Sequence, residues 1–209
     1  MFEYFKNLYK RFLRFLRIKK LRKIADEQWR KLAQQPHIKL ELGSGPKQGK
    51  DGWITVDMYG ADINYDLKRG IPLADNSVDA IYSSHFLEHI AYQDLLLFLS
   101  ECKRVMKPGG YFSVCVPDIR QYIDAYINKT YFRDVSSFYQ PAAVSTNSYL
   151  DQVNYVAYMG GQHKYMFDQE NLVNILTKVG FNNASIRDYD NTIDLSDRQE
   201  GSIYAIAYK

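Results

Sequence analysis

The sequence predicts an α/β fold with a mostly parallel, seven-stranded sheet and flanking helices. Three observations favour this fold. From residue 38 onward short apolar runs alternate with helical stretches, turn residues such as Gly and Pro separate them, and glycines or carboxylates follow several of the runs. Alternation of this kind is typical of βαβ units, which lay parallel strands side by side.

The elements follow from the spacing of apolar residues. Seven runs have the length of strands: 38–42, 53–57, 62–65, 79–83, 111–116, 184–188 and 203–208. Apolar positions at helical spacing predict helices over 91–106 and 168–179. The first of these helices ends at Lys107-Pro108, because proline cannot continue a helix, and the second ends at Gly180.

Residues 118–165 do not fit this alternation. They are rich in aromatic side chains and contain Pro141 and the pair Gly160-Gly161. Connections of this length inside a compact domain usually form a lid or a binding element. The stretch leaves the carboxyl end of the fifth strand, where open α/β sheets bind ligands, so we expect a substrate lid there.

The first 35 residues predict a separate basic, amphipathic helical extension, followed by a single domain over 36–209. Eleven basic and three acidic residues give the extension a charge of +8, which leaves −5 for the rest of a chain of net charge +3. On a helix over 2–17, Phe and Leu residues share one arc and Lys and Arg the other. This arrangement is typical of helices at anionic membrane surfaces, and packing on the domain or on a second subunit is the alternative. Nucleic acid is disfavoured, because the aromatic and basic residues do not interleave.

Composition favours a cytoplasmic protein, with peripheral attachment to the inner face of the cytoplasmic membrane as a further expectation. No apolar run approaches the roughly 18–20 residues of a membrane span, and basic residues interrupt the N-terminus too often for a signal peptide. The two cysteines, Cys102 and Cys115, lie in apolar patterns, which predicts reduced core thiols.

The residues that carry chemistry follow four consecutive strands. The first strand ends in the segment Glu41-Leu42-Gly43-Ser44-Gly45, whose glycines allow a ligand to approach the backbone closely. Asp57 ends the second strand, where a carboxylate can accept hydrogen bonds from ribose hydroxyls. Asp66-Leu67 follows the third strand, and residues 83–89 follow the fourth. A tight turn and solvated strand-end carboxylates are the structural alternatives.

This ordered set resembles the class I S-adenosylmethionine (SAM)-dependent methyltransferases, which have a Rossmann-like fold. Within them it resembles the bacterial methyltransferase type 11 group, often linked to cell-surface glycan synthesis. The matching segments are ELGSGP (41–46), GWITVD (52–57), DLKRGIPLADNSVDAIYSSHFLEHI (66–90), RVMKPGGYFSVCVPD (104–118), GQHKYMFD (161–168) and VGF (179–181).

The resemblance implies SAM as cofactor, S-adenosylhomocysteine as product, and a defined set of contacts. The implied cofactor-binding residues are Glu41, Gly43, Ser44, Gly45, Asp57, Met58, Asp66, Leu67, Ser83 and Ser84. One departure is that only 12 residues separate Gly45 from Asp57, against about 20 in the dinucleotide-binding fingerprint. The helix between the first two strands must therefore be lost or cut to a turn.

Methyl transfer from a sulfonium needs alignment of the acceptor and, for a hydroxyl acceptor, a proton acceptor, so no metal or covalent nucleophile is required. The candidate catalytic residues are His163, His85, Glu88 and His89, with Asp118 as a further candidate base. The expected reaction is O-methylation of a sugar or headgroup of a cell-surface glycan or its lipid-linked precursor. The alternatives are a soluble small-molecule acceptor and a non-catalytic SAM-binding scaffold.

Overall fold

The computed structural model describes residues 2–46, 49–50, 52–133 and 146–209. Its helices are α1 (Phe2–Leu32), α2 (Tyr92–Val105), α3 (Ile119–Ile127), α4 (Leu150–Tyr158) and α5 (Gln169–Val179). Its strands are β1 (Lys39–Leu42), β2 (Ile54–Asp57), β3 (Ile63–Asn64), β4 (Val78–Ser84), β5 (Met106–Pro117), β6 (Asn182–Ile186) and β7 (Ser202–Tyr208). Every predicted strand is present, and the helices predicted over 91–106 and 168–179 correspond to α2 and α5.

The seven strands form one sheet in the order β3-β2-β1-β4-β5-β7-β6, which confirms the predicted fold class. β1 to β5 pair in parallel, whereas β7 runs antiparallel to both β5 and β6. The carboxyl ends of β1, β2, β4 and β5 therefore meet at one edge of the sheet. Because β7 is antiparallel, its first residue, Ser202, also lies at this edge, opposite Pro117.

The main core lies between the sheet and its helices. Leu40, Val56, Ile81 and Phe112 of the strands are fully buried in it, and Leu99 of α2 packs against them. Both cysteines are buried and unpaired, as expected for reduced core thiols. Between β1 and β2 the described residues form turns and no helix, as the short spacing predicts.

α1 is longer than the amphipathic stretch in the sequence and belongs partly to the domain. Ala25, Trp29 and Leu32 near its end are buried in the main core, and the Trp29 ring packs edge-on against Tyr65 at 5.6 Å. The side chains of Leu8 and Phe12 in its first half are exposed. Among the described residues no helix is both long and apolar enough to span a lipid bilayer.

The predicted lid, residues 118–165, contains α3 and α4, which pack against each other through Tyr122, Tyr155 and Val156. The Gln152 side chain joins them to the chain that follows α3, because it accepts from the Phe132 amide at 2.9 Å and donates to the Thr130 carbonyl at 2.7 Å. We call this segment the insertion. Its residues 134–145 lie outside the described part of the chain.

Candidate functional site

The turn after β1 opens the site. Gly43 and Gly45 both have positive φ, 72° and 65°, a conformation that favours glycine. At Gly43 a side chain would also collide with a neighbour, since an added Cβ would lie 2.1 Å from the ring of Phe86. The turn therefore needs glycine for its backbone and for its close contact with the segment after β4.

This turn lines the first cavity, of about 270 Å³, which we call the glycine-turn cavity. Four predicted cofactor residues of the turn line it: Glu41, Gly43, Ser44 and Gly45. Ser84, His85 and His89 from the end of β4 and its following turn form part of the opposite wall, with Arg198.

Asp57, at the end of β2, joins the first cavity to a second one. Its Oδ2 accepts from the Gly45 amide at 2.9 Å, and its Oδ1 accepts from the Met58 amide at 2.5 Å. Each carboxylate oxygen can accept a further hydrogen bond. Asp57 lines both cavities, so a ribose between them could use its remaining acceptors.

The second cavity, of about 670 Å³, is the adenine-side cavity. The predicted residues Met58, Asp66 and Leu67 line it together with apolar Phe98 and Leu97. Asp66 also accepts from the Lys68 amide at 3.1 Å and so caps a short 3₁₀ turn over Leu67–Arg69. A carboxylate beside apolar walls suits a purine, which has flat faces and a polar edge.

The two serines at the end of β4 have different positions. Ser84 lines the glycine-turn cavity, whereas Ser83 is fully buried and lines neither of these two cavities. Successive residues of a strand point to opposite faces, which separates the two side chains. Of the predicted cofactor residues, Ser83 alone does not reach the cleft in the described structure.

His85 has both ring nitrogens engaged. Arg198 Nη1 lies 3.2 Å from His85 Nδ1, and Ser202 Oγ lies 2.8 Å from Nε2. Because a guanidinium can only donate, Nδ1 accepts and the imidazole proton sits on Nε2. In this tautomer the lone pair of His85 is directed at Arg198, so His85 is poorly placed to remove a proton. Its φ of 50° is rare for a non-glycine residue and marks a constrained site.

A third cavity, of about 190 Å³, lies between the insertion and the end of the sheet, and we call it the lid cavity. Residues from the insertion and from the loop before β7 line it: Tyr122, Arg133, Tyr155, Val156, Met159, Gln162, His163, Asp197, Arg198 and Glu200. It shares His85, His89 and Arg198 with the glycine-turn cavity, so these residues stand where the two cavities meet.

The remaining candidate catalytic residues form one cluster against the lid cavity. Glu88 is 1% exposed, and its two carboxylate oxygens have no hydrogen-bond partner among the described residues. Burial raises the pKa of Glu88 to about 8, and its own backbone N–H group and the positive charge of Arg198 offset this only in part. The rings of His89 and His163 lie edge-to-face at 4.9 Å.

The two histidines share a hydrogen-bonding pattern. Nδ1 of His89 lies 3.2 Å from the Gln162 carbonyl, and Nδ1 of His163 lies 2.5 Å from the Val156 carbonyl. A carbonyl can only accept, so both Nδ1 atoms carry the proton and both Nε2 atoms carry a lone pair. Burial lowers the pKa of both histidines, which favours these neutral forms.

Asp118 has a structural role. Its carboxylate caps α3 by accepting from the Arg120 amide at 3.0 Å, and it also accepts from the Gln121 side chain at 3.1 Å. Asp118 lines none of the three cavities, so the described geometry does not support it as the base.

Arg198 is the principal site residue that sequence analysis did not identify. It lies in a 3₁₀ turn over Ser196–Arg198, within the connection between β6 and β7. Nothing in the local sequence distinguishes it from other surface arginines. It reaches the site because antiparallel β7 begins at the same edge at which β4 and β5 end.

Comparisons with known proteins agree with this architecture. Residues 40–114 match a family model described as a methyltransferase domain. A Mycolicibacterium smegmatis protein named "Probable S-adenosylmethionine-dependent methyltransferase" is 40% identical over 57 residues. The match covers 27% of this chain and spans about a fifth (21%) of that relative's length.

Among solved structures, a SAM-dependent methyltransferase from Archaeoglobus fulgidus superposes with a TM-score of 0.50 at 18% identity, over 93% of this chain and 99% of that one. At this identity the likeness concerns the fold. SAM is the cofactor of such domains, and the described cleft fits it: the space beside Gly45 is open, and Asp57 and Asp66 line the adenine-side cavity. The chain therefore has the Rossmann-like fold found in SAM-dependent methyltransferases, and its residues 40–114 match the model of a methyltransferase domain.

Proposed function

We propose that this protein transfers the methyl group of SAM to a hydroxyl group on a cell-surface glycan or its lipid-linked precursor. The observation that carries this proposal is the meeting of the glycine-turn cavity and the lid cavity at His85, His89 and Arg198. A cofactor in the first cavity and an acceptor in the second would have their reacting atoms side by side. Such positioning is the main contribution that an enzyme makes to transfer from an activated donor.

In this arrangement the amino-acid part of SAM lies over the turn at Gly43–Gly45, Asp57 holds the ribose, and Asp66 and Leu67 receive the adenine. The acceptor oxygen forms a bond to the methyl carbon while the carbon–sulfur bond breaks. The electron pair of that bond remains on sulfur and gives S-adenosylhomocysteine. The hydroxyl proton goes to a nearby acceptor.

We place this proton transfer at the cluster of Glu88, His89 and His163. The Nε2 atoms of both histidines hold lone pairs, whereas the lone pair of His85 is taken by Arg198. His163 is the favoured base, since it belongs to the insertion and lines only the lid cavity. His85 then serves to position Arg198 at the boundary between cofactor and acceptor.

The composition of the lid cavity supports a hydroxyl-rich acceptor. Its wall combines the tyrosines 122 and 155 with the polar or charged side chains of Gln162, Asp197 and Glu200. Sugars present many donors and acceptors, and a wall of this kind can match them. Tyr122 and Tyr155 are only 4% and 9% exposed, so they offer edges to an acceptor and not open stacking faces.

The N-terminal helix supports an acceptor at a membrane. Leu8, Tyr9, Phe12, Leu13 and Leu16 are between 43% and 63% exposed. At 3.6 residues per turn they lie on the opposite side of α1 from Ala25, Trp29 and Leu32, which pack in the core. The stripe thus faces away from the domain, which favours binding to an anionic lipid surface and disfavours packing on the chain's own domain.

Transfer of a labelled methyl group tests the proposal. Full-length protein is incubated with SAM carrying a deuterated methyl group and with two extracts of bacterial cells, one of lipid-linked glycans and one of soluble metabolites. We expect the label in glycans of the lipid extract. Label confined to soluble metabolites would favour the alternative acceptor class, and SAM binding with no transfer to either extract would favour a non-catalytic scaffold.

A further inference from the structure

Glu88, His89 and His163 bring three metal-binding side chains to one place. One ligand atom from each lies within 4.8 Å of the other two. Glu88 and His89 belong to a 3₁₀ turn after β4, whereas His163 lies at the end of the insertion. The backbone joins these segments as well, because the amide of Lys164 donates to the Glu88 carbonyl at 2.7 Å.

The orientation of both imidazoles is the one found in metal sites. A metal-bound histidine almost always donates its other ring N–H to a carbonyl or carboxylate, which fixes the tautomer and aims the lone pair. His89 and His163 do this through Nδ1, to the carbonyls of Gln162 and Val156. His89 Nε2 then lies 4.0 Å from Oε1 of Glu88.

Glu88 provides independent support for a ligand. Its carboxylate is almost completely buried and has no hydrogen-bond partner among the described residues, which is costly for a polar group. His85 Nδ1 lies 3.7 Å away, but that nitrogen accepts from Arg198 and has no proton to donate to a carboxylate. A cation between Glu88 and the two Nε2 atoms would satisfy all three groups.

We propose that Glu88, His89 and His163 bind a divalent transition-metal ion of the zinc class, with its open coordination positions facing the lid cavity. Imidazole nitrogens favour such ions over Mg²⁺ and Ca²⁺, which prefer oxygen ligands. Two histidines, one carboxylate and an open position are typical of catalytic zinc sites. In a tetrahedral site with bonds of about 2.0–2.1 Å, neighbouring ligand atoms lie roughly 3.3 Å apart. The ligand atoms of Glu88, His89 and His163 lie within 4.8 Å of one another, so side-chain movements of about 1 Å would complete the site.

The consequence for catalysis rests on the proposed methyl transfer, with His163 acting as a metal ligand in place of a base. An acceptor hydroxyl bound to the ion would lose its proton more readily, because a bound cation stabilises the alkoxide. That proton leaves to water, since both imidazoles are then ligands. The alkoxide oxygen next attacks the methyl carbon, and the carbon–sulfur bond breaks with its electron pair on sulfur. No oxidant or reductant takes part. A metal ion at this site would also revise the expectation, drawn from the sequence, that the methyl transfer requires no metal.

Metal binding can be measured without an acceptor. Full-length protein stripped with chelator is titrated with Zn²⁺ by calorimetry and with Co²⁺ by visible absorption. We expect one ion per chain and a Co²⁺ spectrum of a site with nitrogen and oxygen ligands. Glu88→Gln and His163→Ala should each weaken Zn²⁺ binding about tenfold or more.

The matched control is His37→Ala. His37 is an exposed histidine 3.5 Å from Asp79, remote from the three cavities, and its loss should leave the Zn²⁺ affinity unchanged. Absence of one-to-one binding in the parent protein, or equal weakening by His37→Ala, would overturn the metal site. Glu88→Gln is the second variant, for the case in which His163→Ala does not fold. Glutamine keeps the shape of the side chain and removes only the buried carboxyl group, so this variant tests the site without leaving a cavity.

SAM binding of the same samples is measured separately. If SAM binds and Zn²⁺ does not, the metal site is wrong and the cofactor site stands. If Zn²⁺ binds and SAM does not, the proposed methyl transfer fails while the metal site stands.

Discussion

The backbone amide of Gly45 donates a 2.9 Å hydrogen bond to Oδ2 of Asp57, which ties the turn after β1 to the end of β2. One carboxylate thus shapes the glycine turn and lines both the glycine-turn cavity and the adenine-side cavity. We therefore expect the shape of the turn and the binding of SAM to depend on the same side chain.

Asp57→Ala should weaken SAM binding by about 10- to 100-fold, the effect of losing a hydrogen bond to a charged group, worth about 1.5–3 kcal/mol. Calorimetry gives the affinity. Asp188→Ala is the control, because Asp188 is an exposed carboxylate that lines none of the three cavities. Equal affinities for the two variants would contradict the assignment of Asp57.

Arg198→Ala should lower kcat by about tenfold or more, since Arg198 lines both the glycine-turn cavity and the lid cavity and fixes the tautomer of His85. Arg198→Lys keeps the charge but loses the forked geometry, so it should restore only part of the rate. Steady-state kinetics with the labelled SAM assay separates kcat from KM. A change in KM alone would assign Arg198 to binding and not to positioning.

Glu88→Gln should change how stability depends on pH in the presence of excess chelator. Burial holds the pKa of Glu88 at about 8 in the folded protein, above its value near 4.3 in the unfolded chain. Unfolding between these values releases a proton, so the free energy of unfolding of the parent protein falls as pH rises from about 4.3 to about 8, by at most about 1.4 kcal/mol per pH unit. The variant should lack this contribution. Parallel curves from urea unfolding at a series of pH values would contradict the burial of an unpartnered carboxyl group.

Asp194→Ala should destabilise the fold by about 3–5 kcal/mol, because it leaves a buried guanidinium without its partner. Asp194 is fully buried and accepts from Arg187 at 2.6 and 2.7 Å. Asp124→Ala removes a carboxylate from an exposed pair with Arg120 and should cost less than about 1 kcal/mol. Urea unfolding of the two variants measures the difference.

The exposed stripe of α1 should bind anionic lipid. Replacing Leu13 and Leu16 by Asp should abolish sedimentation with vesicles that contain phosphatidylglycerol, because two charges would enter the apolar boundary. Ile127 and Ile186, which are exposed and lie outside α1, are replaced by Asp as the control for added charge. Parent protein that stays in the supernatant while forming dimers by light scattering would support self-association instead.

The sequence predicts those parts of the fold and site that depend on local features. The strand ends at Leu42 and Asp57 follow from short apolar runs and turn residues. A cofactor site near them is expected because parallel strands end at one edge of the sheet. Glu88 and His89 are likewise identified because they follow the fourth strand, and His163 because it lies at the end of the predicted lid, after Gly160-Gly161. Their convergence on one point depends on the packing of the insertion against the turn after β4.

Other features depend on contacts that are distant along the chain. Arg198 reaches the site only because β7 is antiparallel, which an apolar run cannot reveal. The sequence predicts a separate helical extension over residues 1–35, but it does not reveal that Ala25, Trp29 and Leu32 of α1 pack in the main core. Ser83 and Ser84 are identical residues at neighbouring positions, so the sequence does not show which side chain faces the cleft. The pairing of β4 with β5 in the sheet determines this.

Calorimetric titration of the full-length protein with SAM tests the central claim most directly, namely that the turns after β1, β2 and the following segments form one cofactor cleft. We expect saturable binding with one SAM per chain, and clearly weaker binding by Asp57→Ala than by Asp188→Ala. Folded parent protein that releases no heat with either SAM or S-adenosylhomocysteine would contradict it.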